Sequence, residues 1–237
     1  MQVFPVFLDL THRPCLVVGG GSVGCDKALA LAAAGADVLV VDPSASAPAV
    51  TLAAAKPNLI VETRPFRDQD CERRVLVFAC TNDHGVNDSV ARAATACGVP
   101  CCRADDGGGD FSTGAVLRRG EVCVAVSSTG TSPGLAIEAR DRIEAVVGEE
   151  YAVAARMLGD LRERLRGNVA KASARAGALR GNLTTDLLEA LRSGHNEQAT
   201  RLVEMAYEDA CSPDARSTPA VETGSAQAAE QGSRCTR

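Results

Sequence analysis

Six residues near the amino terminus, Gly19–Gly20–Gly21–Ser22–Val23–Gly24, have the spacing G-x-G-x-x-G. Gly19 permits a tight turn, Gly21 lets the backbone approach a pyrophosphate, and Gly24 lets a following helix pack closely on the preceding strand. The backbone N–H groups of Ser22 and Val23 then open a helix whose positive end faces phosphate oxygens. Asp42 lies 18 residues beyond Gly24. A carboxylate there accepts hydrogen bonds from the adenine-ribose hydroxyls and repels a 2′-phosphate, which predicts NAD rather than NADP. The plainer alternative is a glycine-rich turn, with Asp42 as a strand-end cap.

A second polar group, Thr81–Asn82–Asp83, follows an apolar run. Ligands of open α/β sheets sit at the carboxyl ends of strands, so Thr81 and Asn82 are candidates for the ribose or nicotinamide side of the cofactor. For Asp83 and His84, a simple capping turn is an equal alternative. The histidines, His12, His84 and His195, form no metal-ligand pair. No resident metal is expected.

The elements around these residues alternate. Cys15–Val18 is an apolar run ending in glycines, and Val23–Ala34 is a helix stopped by Gly35. Strands are predicted at Val38–Val41, Leu59–Thr63, Val75–Cys80 and Pro100–Ala104, with a helix over Val86–Cys97. Alternating strands and helices imply βαβ units, and right-handed crossovers make the α/β fold a Rossmann-like, doubly wound parallel sheet. After Asp105 the pattern changes. Ser112–Leu117 and Val122–Ser127 read as a hairpin turning at Arg118–Arg119–Gly120. Helices are predicted over Pro133–Val147, Tyr151–Arg166, Leu183–Ser193 and Asn196–Cys211. From Ser212 to Arg237 the Ser, Thr, Ala, Gly, Pro and Gln content lacks periodicity and predicts a disordered tail.

Composition narrows the function classes. A net charge of −5 argues against nucleic-acid or membrane-surface partners, and the absence of Trp with 3% aromatics argues against base stacking. The ten cysteines include no C-x-x-C pair and mostly lie in apolar runs, so they read as reduced structural residues of a cytoplasmic protein. The amino terminus lacks the features of a signal peptide, and no apolar run is long enough to span a membrane.

Three segments together carry a family resemblance. They are Phe4–Pro5–Val6–Phe7–Leu8–Asp9–Leu10 with the glycine string and Lys27–Ala28, then Ala79–Cys80–Thr81–Asn82–Asp83 with Val86–Asn87, then Val124–Ala125–Val126–Ser127–Ser128–Thr129–Gly130–Thr131–Ser132–Pro133. In this order they resemble the precorrin-2 dehydrogenase/sirohydrochlorin ferrochelatase family, which is also the N-terminal module of siroheme synthases. The likeness covers residues 1–165 well and 166–210 loosely.

The resemblance implies NAD-dependent oxidation of precorrin-2 to sirohydrochlorin. It implies an NAD-binding domain over 1–111, a dimerisation segment over 112–150 and a small helical domain over 151–211, in a homodimer. Asp105 falls on the family's catalytic position, where a carboxylate can take a proton as general base. Here the Asp105–Phe111 stretch is one residue shorter than usual and three glycines replace a Pro-containing turn, so the choice between Asp105 and Asp106 stays open. Asp-Asp-Gly is also ordinary turn chemistry.

The substrate is a polycarboxylate, so Ser127, Ser128 and Thr131, at the end of a strand and before a helix, are candidates to bind it. Thr131 or Ser132 is also expected to cap that helix. Arg118, Arg119 and Arg140 are further candidate carboxylate partners, the first two competing with a role in a solvated turn. Iron insertion into sirohydrochlorin, as a second or sole activity, and a non-catalytic NAD-sensing module are the competing functions. A separate chelatase is the expected recipient of the product if this chain does not chelate.

Overall fold

The computed structural model describes residues 3–44, 56–105, 109–180 and 182–212. Asp106, Cys235 and the predicted tail beyond Ser212 lie outside these residues. Two compact units are present. The first comprises Met1–Ala115 and Val126–Glu138, and the second Val116–Ala125 and Ala139–Arg237. Residues 112–150 are thus shared between the units.

In the first unit, five parallel strands are ordered β3-β2-β1-β4-β5. They are β1 (Pro14–Val18), β2 (Asp37–Val41), β3 (Leu59–Glu62), β4 (Leu76–Ala79) and β5 (Cys101–Arg103). Helix α1 (Ser22–Ala33) follows β1 and helix α2 (His84–Ala96) follows β4. Side chains alternate across β1, so Cys15 and Val17 pack with Ala28, Leu31 and Ala32 of α1. Leu16 and Val18 pack on the other face with Val90, Ala93 and Ala94 of α2. Burial on both faces is why the strands read as continuous apolar runs. The nine described cysteines are free thiols, six of them buried. Burial pushes the Cys71 and Cys80 thiols up to about 12 and that of Cys101 up to about 11, so they act as core packing.

The hairpin strands β6 (Ala115–Arg119) and β7 (Val122–Val126) turn at Gly120, which has a φ of 56°. Arg118 and Arg119 are therefore strand residues, not the expected turn. Arg119 is 19% exposed and pairs with Glu144 at 2.8 Å and Glu149 at 3.3 Å. Strand alternation points it inward toward these carboxylates, which removes it from the pool of substrate cations. Arg140 is likewise paired, with Asp141.

Helix α3 (Pro133–Glu144) is followed by α4 (Glu150–Asn168), α5 (Ala172–Ala178), α6 (Leu183–Arg192) and α7 (Asn196–Cys211). The last four share a core that includes Leu161, Leu165, Leu187, Ala199 and Val203. Arg164 grips Glu204 with two hydrogen bonds, at 2.7 and 2.8 Å, and lies 4.1 Å over the Tyr207 ring. Among the described residues, no helix is long and apolar enough to cross a membrane.

Candidate active site

The strand order reverses between β1 and β4, and the carboxyl ends of these strands form the crevice where open α/β sheets hold ligands. The glycine string leaves β1 at this point. Two of its glycines have a steric reason within the chain. Gly19 has a φ of 107°, and a Cβ on it would lie 2.5 Å from the Cys80 carbonyl oxygen. On Gly24, a Cβ would fall 1.9 Å from the Gly19 carbonyl oxygen. Gly21, by contrast, has nothing within 4 Å of such an atom.

That open space lies at the start of α1, where Gly21 is the cap residue and no side chain accepts from the first turn. The first turn carries no acidic residue either. The N–H groups of Ser22 and Val23, at exposed positions, thus have no intrahelical acceptor, as at any helix start. This cradle fits a dinucleotide pyrophosphate, because negative oxygens would meet those N–H groups and the positive end of the helix dipole.

Asp42 follows β2 and turns back toward the loop. Its Oδ2 accepts from the Gly20 N–H at 2.5 Å and its Oδ1 from the Ser44 N–H at 2.7 Å. A carboxylate oxygen has two acceptor directions, so these bonds fix the side chain and leave capacity for ribose hydroxyls.

Beyond β4, the predicted cofactor residues differ in role. The Thr81 hydroxyl is used internally, donating to the Asn87 carboxamide oxygen at 2.8 Å. Asn82 is exposed. Asp83 caps α2, its Oδ1 accepting from Gly85 N at 2.8 Å and Val86 N at 3.2 Å.

Asp105 lies just past β5, and its side chain is only 10% exposed. Arg103 holds both its oxygens, Nε to Oδ1 at 3.0 Å and Nη2 to Oδ2 at 2.9 Å. Asn87 Nδ2 donates to Oδ2 at 3.0 Å, and His84 Nδ1 lies 2.8 Å from the same oxygen. The other Arg103 arm reaches Asp88 at 2.6 Å. Hydrogen bonds to Asp105 and Asp88 hold the Arg103 guanidinium above its ordinary range, so its charge is fixed. Asn87 is fully buried, and its amide also donates to the Thr81 carbonyl and accepts from the Thr81 N–H. It therefore bolts the end of β4 to the end of β5.

Sequence reasoning had singled out Asp105 but not the cluster around it. Arg103 was the detectable member, since residues two apart on a strand project to the same side. Asn87 and His84 come from 18 and 21 residues earlier in the chain and reach the carboxylate only through the parallel crossover.

The segment after β7 is built around itself. Ser127 Oγ accepts from the Thr129 N–H, and Thr129 has a φ of 55°. Ser128 Oγ donates to the Ser132 carbonyl at 2.7 Å and accepts from the Ser132 N–H. Ser132 caps α3 by accepting from Leu135 N. With Pro133 lacking an N–H and Leu135 satisfied, this helix start offers few free donors. Of the three residues expected to meet substrate, Thr131 is the one whose side chain is exposed without a role in the turn. Among the described residues, no group of three His, Cys, Asp or Glu is placed to hold a metal ion.

Residues 6–115 match a family model described as NAD(P)-binding. The siroheme synthase of Methylococcus capsulatus is 38% identical over 205 residues, covering 86% of this chain and 43% of the relative. That of Nitrosomonas europaea is 37% identical over 167 residues, covering 70% of this chain and 35% of the relative. The chain thus spans less than half the length of these curated relatives. Among solved structures, SirC, a precorrin-2 dehydrogenase, superposes with a TM-score of 0.67 at 23% identity, over 86% of this chain and all of that one. By sequence the chain is thus similar to part of the siroheme synthases, and by fold to SirC.

Proposed function

We propose that this protein is an NAD-dependent oxidoreductase that converts precorrin-2 to sirohydrochlorin in siroheme biosynthesis. The observation that carries the reading is the 38% identity to a siroheme synthase over 205 residues, beside the open cradle at Gly21. In this reading Ser22 and Val23 N–H groups hold the pyrophosphate and Asp42 takes the adenine ribose, which favours NAD over NADP. Asn82 faces the cofactor, while Thr81 shapes the same edge through Asn87. When bound, NAD⁺ supplies the acceptor for a hydride.

The chain's own residues orient the macrocycle and remove a proton. Asp105 belongs to the acid–base pair at the end of β5, within hydrogen-bond reach of His84. Ser127 and Ser128 hold the loop that presents Thr131 to a substrate carboxylate. In the organisation we propose, 1–111 binds NAD, 112–150 mediates a homodimer and 151–211 is a helical domain, in a cytoplasmic enzyme that passes its product to a separate chelatase.

An anaerobic assay of the full chain with precorrin-2 tests the reading. Sirohydrochlorin should accumulate with NAD⁺, more slowly with NADP⁺ and not without dinucleotide. Dinucleotide-independent formation, or binding of NAD⁺ with no turnover, would contradict it. The second outcome would favour an NAD-sensing module.

A further inference from the structure

We propose that Lys27 binds a carboxylate of the tetrapyrrole and so anchors the macrocycle between the dinucleotide cradle and the Ser127–Thr131 loop. The inference rests on the dehydrogenase reading and adds to it a residue that selects the substrate by charge.

Lys27 lies three residues after Gly24 and four before Leu31, so it borders the buried stripe of α1. The residue is half-buried, and its Nζ donates to the Thr113 Oγ1 at 2.6 Å. A long aliphatic stem that packs along the helix while its head stays polar is the usual way such a side chain is held.

Neighbouring contacts locate the ammonium. The Cys80 carbonyl oxygen lies against Gly19, leaving no room for a Cβ there. Burial pushes the Cys80 and Cys102 thiols up, and the nearby charge of Lys27 opposes it, which puts the ammonium by the same end of β4. Past Thr113, the backbone of Gly114 abuts the Val126 carbonyl oxygen, which lies 2.4 Å from where a Cβ would stand. Val126 directly precedes Ser127. Lys27 therefore stands between the glycine bend and the loop that carries Thr131, all within the first unit.

Charge singles it out among its neighbours. Arg64, past β3, is held by Glu62 and Asp70, and Arg103, on β5, by Asp88 and Asp105. The Lys27 partner is instead a neutral hydroxyl, which takes one of three ammonium hydrogens. Among the described residues, no carboxylate pairs with Lys27. Its charge and two of its donors are thus available to an anion. The dinucleotide pyrophosphate has its own donors in the Ser22 and Val23 N–H groups. The anion left for Lys27 is a side-chain carboxylate of the substrate. Thr113 holds the ammonium in place beforehand, which lowers the ordering cost of binding. Lys27 and Thr131 would take different carboxylates of one rigid ring system and so fix its rotation.

Fluorescence titration of the full chain with sirohydrochlorin, in metal-free buffer, tests this without turnover. Lys27→Met keeps the apolar stem and Lys27→Gln keeps a donor for Thr113, but both lack the charge. Each should bind sirohydrochlorin about tenfold more weakly, the scale of one hydrogen bond to a charged group. Lys27→Arg should retain most of the affinity. Added salt should weaken binding to the wild type more steeply than to Lys27→Met. Calorimetric titration with NAD⁺ should give wild-type affinity in all three variants, and their denaturation midpoints should match the wild type.

Wild-type affinity for sirohydrochlorin in Lys27→Met and Lys27→Gln would overturn the assignment. Weaker NAD⁺ binding with unchanged sirohydrochlorin binding would also overturn it, by giving Lys27 to the cofactor. An equal loss in Lys27→Arg would deny that charge is what the site reads. Absence of sirohydrochlorin binding by the wild-type protein would instead sink the dehydrogenase reading, and this inference with it.

Discussion

Gly24 and Gly21 sit three residues apart and should respond oppositely to the same substitution. A Cβ on Gly24 would lie 1.9 Å from the Gly19 carbonyl oxygen and 2.9 Å from its carbon, both backbone atoms. To restore ordinary contact, α1 must retreat by about 1.5 Å, which unpacks Ala28, Leu31 and Ala32 from β1. Overpacking of this kind costs about 1–3 kcal/mol, and the gain in helix propensity from Gly to Ala returns only about 1 kcal/mol. Gly24→Ala should therefore lose up to about 2 kcal/mol of stability and bind NAD⁺ poorly.

On Gly21 a Cβ meets nothing within 4 Å, and the residue's φ of −72° suits any side chain. Gly21→Ala should unfold like the wild type yet bind NAD⁺ at least tenfold more weakly, about 1.4 kcal/mol, because the methyl group stands where the pyrophosphate approaches. Urea denaturation and calorimetric titration of both variants provide the comparison. A Gly24→Ala protein of full stability, or a Gly21→Ala protein of full affinity, would refute the steric reasoning.

Asp42→Ala should narrow the preference for NAD⁺ over NADP⁺ by about tenfold in paired titrations, since the repelling carboxylate is gone. An unchanged ratio would separate Asp42 from cofactor choice. Asn87→Leu should lower stability by about 1–3 kcal/mol, because the Thr81 N–H and carbonyl lose their buried partner; equal denaturation midpoints would deny that role. Burial opposes the charge of Asp70, yet bonds from Arg64 and the Arg67 N–H outweigh it and lower its pKa from 3.8. A depressed folded pKa gives stability that is present above about pH 4 and fades as pH falls through the folded value. Asp70→Asn should thus lie about 2 kcal/mol below wild type at pH 7, the gap closing in acid; a pH-independent gap would exclude the ionic origin.

The doubly wound sheet was legible because its central strands are buried on both faces and so leave unbroken apolar runs, as at Cys15–Val18 and Leu76–Ala79. The glycine string was legible as a tight strand-to-helix bend because Gly19 and Gly24 answer local steric demands, whereas Gly21 meets none within the chain. Two short elements escaped. The 3₁₀ turn at Asp68–Cys71 is fixed by Arg64 gripping Asp70 across six residues, and α5 is an Ala-rich stretch of seven residues with no buried stripe.

Arg118 and Arg119 were misplaced because Arg-Arg-Gly reads as a turn, whereas the turn begins two residues later, at Gly120. The Asp105 cluster was half legible. The carboxylate stood out, but its partners arrive through tertiary contacts that no local spacing encodes. Thr81 shows the converse, a polar residue of the right type whose hydroxyl serves the fold.

The most direct test of the account is a single anaerobic turnover with precorrin-2 carrying deuterium at the carbon that loses hydride, followed by mass analysis of the dinucleotide. Deuterated NADH in amounts equal to sirohydrochlorin is the predicted result. Sirohydrochlorin formed without deuterium in the dinucleotide would contradict hydride transfer to a cofactor held at the Gly19–Gly24 bend.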